Sequence, residues 1–230
     1  MLISRCSPGV IASWTVTQYA ILLNMINKRF ESINLGILKM GGNIRSGGTQ
    51  SQTLSVTKLS LLRELVLYDI DNIKYAYVEL CEICQDIGDF YGLSILIVIL
   101  HFGFQSIFVL YFAISSLIQG HEHSMTMHLF NGVRLSLSTF LFTVLTSSVT
   151  NTIKESKKIS NIINLLMDRC PMDQKIKEQL FRFSHHLLHL KVEFSACDIV
   201  PLDRTFLAII VGTIATYLII ILQFRISASN

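Results

Sequence analysis

Two uncharged stretches determine the fold of this chain: residues 90–121, FYGLSILIVILHFGFQSIFVLYFAISSLIQGH, and residues 205–224, TFLAIIVGTIATYLIIILQF. They contain 32 and 20 consecutive residues without Asp, Glu, Lys or Arg. A bilayer core of about 30 Å requires about 20 apolar residues of α-helix, so both stretches are long enough to cross a membrane. The longer stretch must extend beyond the hydrocarbon as a single helix, and we place this span at residues 89–118.

The composition of the whole chain agrees with a membrane protein. Of its 230 residues, 51% are hydrophobic and 15% are charged, whereas soluble domains contain about 25% charged residues. This composition excludes a disordered chain and disfavours a plain cytosolic domain. The formal net charge of +3 is too small to indicate binding to nucleic acid. We therefore predict an all-α fold, a polytopic helical bundle with the lipid bilayer as its partner.

Two further runs are weaker candidates for spans. Residues 128–150 contain Arg134, which costs about 2.5–3.5 kcal/mol at mid-membrane, but the apolar residues that follow offset this cost. Arg134 must then snorkel or find a partner. Residues 1–27 contain an apolar run that stops at Lys28 and Arg29. We interpret this run as a span or part of one, with a buried or interfacial helix as the alternative.

The distribution of Lys and Arg predicts the orientation, because such residues accumulate on the cytosolic side. Residues 28–74 hold seven of them, residues 154–204 hold nine, and residues 119–127 hold none. We therefore expect residues 28–88 and 151–204 inside and an extracellular turn at 119–127. The tail, residues 225–230, is then extracellular.

Helical periodicity continues into the inside segments. Between Leu62 and Ile87 apolar residues recur every three or four positions and lead into the span, which predicts one continuous helix. A shorter stripe at 159–166 extends the third span until Pro171, whereas residues 41–48, GGNIRSGG, have the composition of a flexible linker. Six residues follow heptad steps and form a candidate anchor seam: Ile176, Leu180, Phe183, Leu187, Leu190 and Phe194.

The sequence offers no catalytic residues, metal site or cofactor site. His185, His186 and His189 could place two imidazoles on one helix face, but the run lacks the glutamate of a zinc hydrolase, and an exposed helix face is the alternative. Cys81 and Cys84 have no second cysteine pair, which favours structural thiols over a zinc or redox site. We therefore expect no enzymatic activity.

The last span, residues 205–224, carries polar residues at helical spacing. Thr213, Thr216, Ile220 and Gln223 share one face of the helix. Since a Gln side chain in hydrocarbon needs a partner or water, this face is expected either to form interhelical hydrogen bonds or to line a wet pore.

The end of this span also carries a recognisable motif, Thr216-Tyr217, five apolar residues, then Gln223-Phe224. The motif resembles the C-terminal signature of insect gustatory receptors. Residues 192–197 (VEFSAC), Leu202-Asp203 and Gly212 are similar to the stretch that precedes it in that family. Residues 24–34 resemble the cytosolic end of the family's fourth span, and Tyr91-Gly92 the start of its fifth, so the resemblance covers nearly the whole chain.

The resemblance implies a ligand-gated, nonselective cation channel of the plasma membrane that detects tastants. It implies a homo- or hetero-tetramer with seven spans per subunit, in which four copies of the last span line the pore. By this resemblance Gln223 and Phe224 are gate candidates, Thr216, Tyr217 and Ile220 face or support the pore, and the anchor seam lies where subunits meet. The chain resembles the C-terminal half of such a receptor, and spans one to three are expected to be missing.

The resemblance also implies a ligand pocket in the outer half of the bundle. The candidates in this chain combine aromatic, amide and guanidinium groups that suit a polar or polyhydroxylated tastant: Gln105, Tyr111, Phe112, Asn131 and Arg134. Bundle packing is the alternative role for each. Asp198 stands where the family usually has Gly, so the turn there is expected to differ.

Two other functions remain open. A truncated or fragment chain would have no channel activity of its own and would co-assemble with full-length subunits. A secondary transporter would need discontinuous helices and internal repeats, and the sequence contains neither. The family signature is shared by receptors for sugars, bitter compounds and carbon dioxide, so it does not select a tastant.

Overall fold

The computed structural model describes residues 2–49, 56–119, 125–169 and 173–229, which form five α-helices and one antiparallel β-hairpin. The elements follow the order α1 (Leu2–Thr49), α2 (Val56–Gln119), α3 (Met125–Arg169), α4 (Gln174–Leu187), β1 (Ser195–Ala196), β2 (Val200–Pro201) and α5 (Arg204–Ser229). Within these described residues α1, α2, α3 and α5 are each long and apolar enough to cross a membrane. The predicted all-α membrane bundle is confirmed.

The chain divides into two compact units, and the long helices contribute to both. The spanning unit comprises Met1–Leu22, Gly88–Thr150 and Phe194–Asn230, and the extension unit comprises Leu23–Ile87 and Asn151–Glu193. The sequence predicts that one helix includes Leu62 and continues into the apolar stretch. This prediction is confirmed, because α2 runs unbroken from Val56 to Gln119. The extension of the third span is likewise confirmed by α3, and Pro171 lies outside the described residues.

The core of the extension unit is built around three aromatic rings. Phe30 of α1 and Tyr77 of α2 have ring centroids 5.5 Å apart, and Phe183 of α4 lies 6.3 Å from Tyr77, both in edge-on geometry. Aromatic pairs of this kind add about 0.5–1.5 kcal/mol to the stabilisation from burial alone. The unit also contains aliphatic residues that are at most 1% exposed: Leu23, Ile37, Ile70, Ile159, Ile163 and Leu180.

Polar side chains in the extension unit connect one helix to another. Tyr77 Oη donates a hydrogen bond to the carbonyl oxygen of Ser156 at 3.2 Å, and Thr152 Oγ1 donates to the carbonyl of Leu23 at the same distance. Asn34 Nδ2 donates to the carbonyl of Glu155 at 3.0 Å. Because each bond joins α3 to α1 or α2 and is largely buried, these contacts fix the register of the three helices.

The predicted linker at residues 41–48 is wrong, since α1 continues as a helix to Thr49. Gly41 is buried, and a Cβ at this position would overlap the side chain of Leu166 in α3. The glycine therefore allows α1 and α3 to pack closely. Composition alone does not separate a glycine needed for helix packing from one in a flexible segment.

The anchor seam is helical over only part of its predicted length. Ile176, Leu180, Phe183 and Leu187 are the buried residues of α4, as their heptad spacing predicts. Leu190 and Phe194 lie beyond the end of α4 at Leu187, so the prediction that they continue the helix is wrong. Residues 192, 194 and 196 are buried while 191 and 193 are exposed. This two-residue alternation is typical of an extended strand, whereas the heptad spacing predicted a helix for the same residues.

The β-hairpin that precedes α5 turns at Cys197 and Asp198. Both residues have positive φ angles, 53° and 56°, and the amide of Ile199 donates to the carbonyl of Ala196 at 3.1 Å. Two successive positive φ angles are typical of a type I′ turn, in which glycine is favoured because it lacks a Cβ. Asp198 adopts this conformation instead, and its carboxylate accepts a 2.8 Å hydrogen bond from Ser195 Oγ.

The hairpin packs directly against α2 at Gly92. A Cβ at Gly92 would lie 3.1 Å from the backbone nitrogen of Cys197, which is closer than side chains normally approach a backbone atom. A larger residue would require the turn to move by a few tenths of an ångström, so glycine is favoured at this position. Elsewhere in the spanning unit aromatic contacts join the helices: Tyr19 with Tyr91 at 5.1 Å and Phe102 with Phe142 at 4.6 Å between ring centroids.

Candidate functional site

The spanning unit contains a cavity of about 900 Å³ lined by residues of α1, α2 and α3. Its size lies within the range of about 300–1,000 Å³ that is typical of small-molecule sites. The walls are mainly apolar and aromatic. They include Trp14, Val98, Phe102, Phe130, Leu137 and Phe142.

Four side chains give this cavity its hydrogen-bonding character: His101 and Gln105 from α2, and Asn131 and Arg134 from α3. His101 and Gln105 are four residues apart and share one face of α2. No Asp or Glu occurs among the described lining residues. The hydroxyls of Ser13 and Ser138, which also line the cavity, already donate to carbonyls of their own helices.

Arg134 is half-buried and lies next to α1, where its Nη2 atom is 3.8 Å from the position that a Cβ on Gly9 would take. Among the described residues its guanidinium takes part in none of the ion pairs, which join Arg63 to Asp173, Lys158 to Glu155 and Arg182 to Glu178. A guanidinium among apolar walls is costly unless an anion or several acceptors compensate it.

One segment of α2 gathers polar atoms that lack a partner. Nε2 of His101, Nε2 of Gln105 and Oγ of Ser106 are buried and form no hydrogen bond within the described chain, and Ser106 is 2% exposed. A buried polar atom without a partner destabilises the fold by about 1–3 kcal/mol. His101 and Gln105 line the cavity, so their unpaired atoms indicate a place where a ligand or water completes the hydrogen bonding.

The structure brings three of the five predicted pocket residues together, namely Gln105, Asn131 and Arg134. Tyr111 and Phe112 are not part of the described lining; their rings pack against each other at 5.7 Å, and Phe112 also contacts Phe108 at 4.5 Å. Sequence reasoning missed His101 and Trp14. The signal for His101 was present, because an ionisable residue inside an uncharged apolar stretch is unusual and four residues separate it from Gln105.

The candidate pore residues lie on α5, which is the least buried of the four long apolar helices. Only 11% of its most apolar window is buried. Thr216, Tyr217, Ile220, Gln223 and Phe224 are all exposed. The hydroxyls of Thr213 and Thr216 donate to the carbonyls of Ile209 and Gly212 in the preceding turn, at 2.8 and 2.9 Å. Gln223 has no such bond within the described residues, so its amide is left for water or another chain.

The cysteine pair lies in the extension unit beside the aromatic core. Burial raises the pKa of Cys84 to about 12 and that of Cys81 to about 11, so that both side chains are protonated thiols at neutral pH. A protonated, buried thiol is a poor nucleophile and a poor metal ligand. Cys84 is 2% exposed and contributes to the core.

The histidine cluster lies at the C-terminal end of α4. His185 and His189 are exposed, with ring centroids 5.4 Å apart, while His186 is half-buried. Across the part of the chain that the structure describes, no three His, Cys, Asp or Glu side chains are grouped to hold a metal ion. The cluster thus consists of one exposed imidazole pair beside the apolar face of α4.

Four long apolar helices and a cavity among three of them define the class, a multi-pass α-helical membrane protein. The family model described as 7tm chemosensory receptor matches residues 1–228. The chain therefore belongs to the 7tm chemosensory receptor family, which is not an enzyme family, and the curated relatives that it resembles are insect gustatory receptors.

Three curated relatives from Drosophila melanogaster illustrate the similarity. The protein named as gustatory receptor 28a is 27% identical over 181 residues, which cover 77% of this chain and 40% of that receptor. Gustatory receptor 28b is 40% identical over 78 residues, 34% of this chain and 16% of that receptor. The gustatory receptor for sugar taste 43a is 32% identical over 77 residues, 31% and 17% of the two chains. The matches thus span at most 40% of these relatives' length.

Proposed function

We propose that this chain carries the pore of a tastant-gated, nonselective cation channel in the plasma membrane. In this proposal α5 from four subunits, identical or different, surrounds the conduction path, Gln223 and Phe224 form the gate, and Thr216, Tyr217 and Ile220 face or support the pore. The observation that carries the proposal is the exposed polar face of α5. It is joined by the match to the family signature at the end of the same helix.

The Gln223 amide, which has no hydrogen-bond partner among the described residues, supports a water-filled path rather than a surface that faces lipid. An exposed Gln amide in hydrocarbon leaves its donors and acceptor without partners, which is unfavourable. Next to water the same side chain is fully solvated. Thr213 and Thr216 retain acceptor capacity on their hydroxyl oxygens after bonding to their own helix, and such oxygens suit hydrated cations.

The remaining parts of the chain have roles in the same proposal. The cavity that contains Arg134 is the tastant site. Helix α4 belongs to the anchor: its apolar face packs inside the subunit, and its exposed face remains for contacts with neighbouring subunits. The distribution of Lys and Arg supports a cytosolic extension unit and an extracellular tail after α5. The position of the ligand cavity in the spanning unit, which also contains α5, supports coupling between ligand and pore.

The experiment compares two alanine variants of α5 in cells expressing the chain, alone and with a full-length gustatory receptor subunit. Gln223→Ala is expected to change leak current or the permeability ratio of monovalent cations by about threefold or more. Val211→Ala is the control, because Val211 is also exposed but lies about 160° around the helix from Thr213. Whole-cell recording under ion substitution measures both variants.

Wild-type permeation by Gln223→Ala, or equal effects of both variants, would contradict a pore role for this face. Current that appears only with the full-length subunit would favour the alternative in which the chain co-assembles and has no channel activity of its own. That alternative is compatible with the limited share of the curated relatives that the chain matches.

A further inference from the structure

The cavity in the spanning unit has a chemical bias that the general role of a tastant site does not specify. Its polar groups with unused capacity are the Arg134 guanidinium, the amides of Gln105 and Asn131, and the His101 ring. Ser13, Thr17 and Ser138 have their hydroxyl hydrogens engaged by carbonyls of the preceding turn. The cavity is consequently rich in available donors and carries a positive charge.

None of the described carboxylates of the spanning unit lines this cavity. These carboxylates are Asp89, Asp198 and Asp203. Asp198 accepts a hydrogen bond from Ser195, and Asp203 accepts one from the amide of Phe206 at the start of α5. The compensating anion for Arg134 is thus absent from the described lining.

The walls restrict what kind of acceptor-bearing ligand fits. A polyhydroxylated ligand needs hydrogen-bonding partners around most of its surface, whereas Val98, Phe102, Leu137 and Phe142 offer none. An apolar body against these walls gains from burial, and a carboxylate matches the planar fork of a guanidinium with two parallel hydrogen bonds. The lining thus favours a charged head on an apolar body.

We infer that the cavity binds a monocarboxylate with an apolar body, its carboxylate paired with Arg134 and hydrogen-bonded by Gln105. The inference rests on the proposed role of the cavity as the tastant site and names the ligand class. This ligand chemistry has two sources, a fatty acid dissolved in the membrane or a water-soluble aromatic acid. Both bring the same head group to the same guanidinium.

The chain contains its own reporter, because Trp14 is its single tryptophan and lines the cavity. The test titrates the purified chain in lipid nanodiscs at pH 7.4 and follows quenching of Trp14 fluorescence by bromine-labelled ligands. The probes are 3-(4-bromophenyl)propanoate, 8-bromooctanoate and the primary amide of each. The aromatic and fatty pairs distinguish the two sources, and each amide keeps the shape while it removes the charge.

We expect at least one acid to bind about tenfold or more tightly than its amide, since charge-assisted hydrogen bonds exceed neutral ones by about this factor. Arg134→Met should weaken binding of that acid about tenfold or more and change binding of the amide less than about threefold. Arg134→Lys should retain part of the preference because it keeps the charge but loses the fork.

Equal affinities for acid and amide in the wild-type chain would overturn the inference, and this comparison stands even if Arg134→Met does not fold. A preference that survives Arg134→Met would also overturn it. Acid-selective binding without any evoked current would contradict the channel proposal but would still support a monocarboxylate as the ligand. Current evoked only by neutral tastants would support the channel proposal but contradict a monocarboxylate ligand.

Discussion

In the extension unit, polar side chains form hydrogen bonds from one helix to another. In the spanning unit, several polar side chains instead form hydrogen bonds within their own helix or have no partner among the described residues. Tyr77 and Thr152 cross between helices, while Thr139 and Thr213 donate to carbonyls four residues earlier. Bonds between helices require one particular arrangement, and bonds within a helix do not. The contrast indicates that the extension unit specifies its packing and the spanning unit keeps polar capacity for ligand, water or other subunits.

The largest expected effect tests the core of the extension unit. Phe183→Ala should destabilise the chain by about 3–5 kcal/mol, because it removes a ring that is 1% exposed and leaves a cavity beside Tyr77. Phe181→Ala on the same helix is the matched control, since Phe181 is 62% exposed, and should change stability by less than about 0.5 kcal/mol. Denaturant unfolding in detergent measures both, and similar losses would show that α4 is not packed as described.

A smaller effect is expected where the spanning unit is closely packed. Gly92→Ala should destabilise the chain by about 1–2 kcal/mol, because the new methyl group meets the backbone of Cys197 and that backbone cannot move aside without shifting the hairpin. Gly88→Ala in the same helix meets no neighbour and should stabilise by up to about 1 kcal/mol. Effects of the same sign in thermal unfolding would contradict the contact between α2 and the hairpin.

The smallest effect compares the two kinds of hydrogen bond directly. Tyr77→Phe removes a bond between helices and leaves the Ser156 carbonyl without this donor, and it should destabilise the chain by about 0.5–1.5 kcal/mol. Thr139→Val removes a bond within α3 at an exposed position, and the change should stay within about 0.5 kcal/mol. If Thr139→Val costs as much as Tyr77→Phe in the same unfolding assay, the contrast between the units fails.

Much of the helical architecture follows from the sequence, because charge-free length and three- and four-residue spacing are direct physical requirements of a helix in a membrane or against a core. The continuous α2 and the buried residues of α4 up to Leu187 are examples. The same spacing failed at Leu190 and Phe194, where heptad steps coincide with an extended segment. The helical Gly41 was missed because its reason is Leu166 on another helix, which no local pattern contains.

The candidate site was predictable only in part. Gln105, Asn131 and Arg134 were recognisable as polar residues in apolar surroundings, and they line one cavity. The separation of Tyr111 and Phe112 from that lining depends on the rotation of α2, which sequence does not define to within one residue. The resemblance marked Asp198 as a departure from the family pattern, and its left-handed conformation becomes visible only in the turn geometry.

The internal hydrogen bonds of Thr213 and Thr216 have a consequence for biogenesis. A newly inserted α5 can remain in lipid with these two hydroxyl hydrogens already engaged, which leaves the Gln223 amide and the Tyr217 phenol as the groups that gain most from water. A subunit with so few exposed polar groups can persist as a monomer in the membrane until partners arrive. In the proposed channel, the polar stripe would favour assembly through hydration of the enclosed space, without any exchange of hydrogen bonds between neighbouring helices.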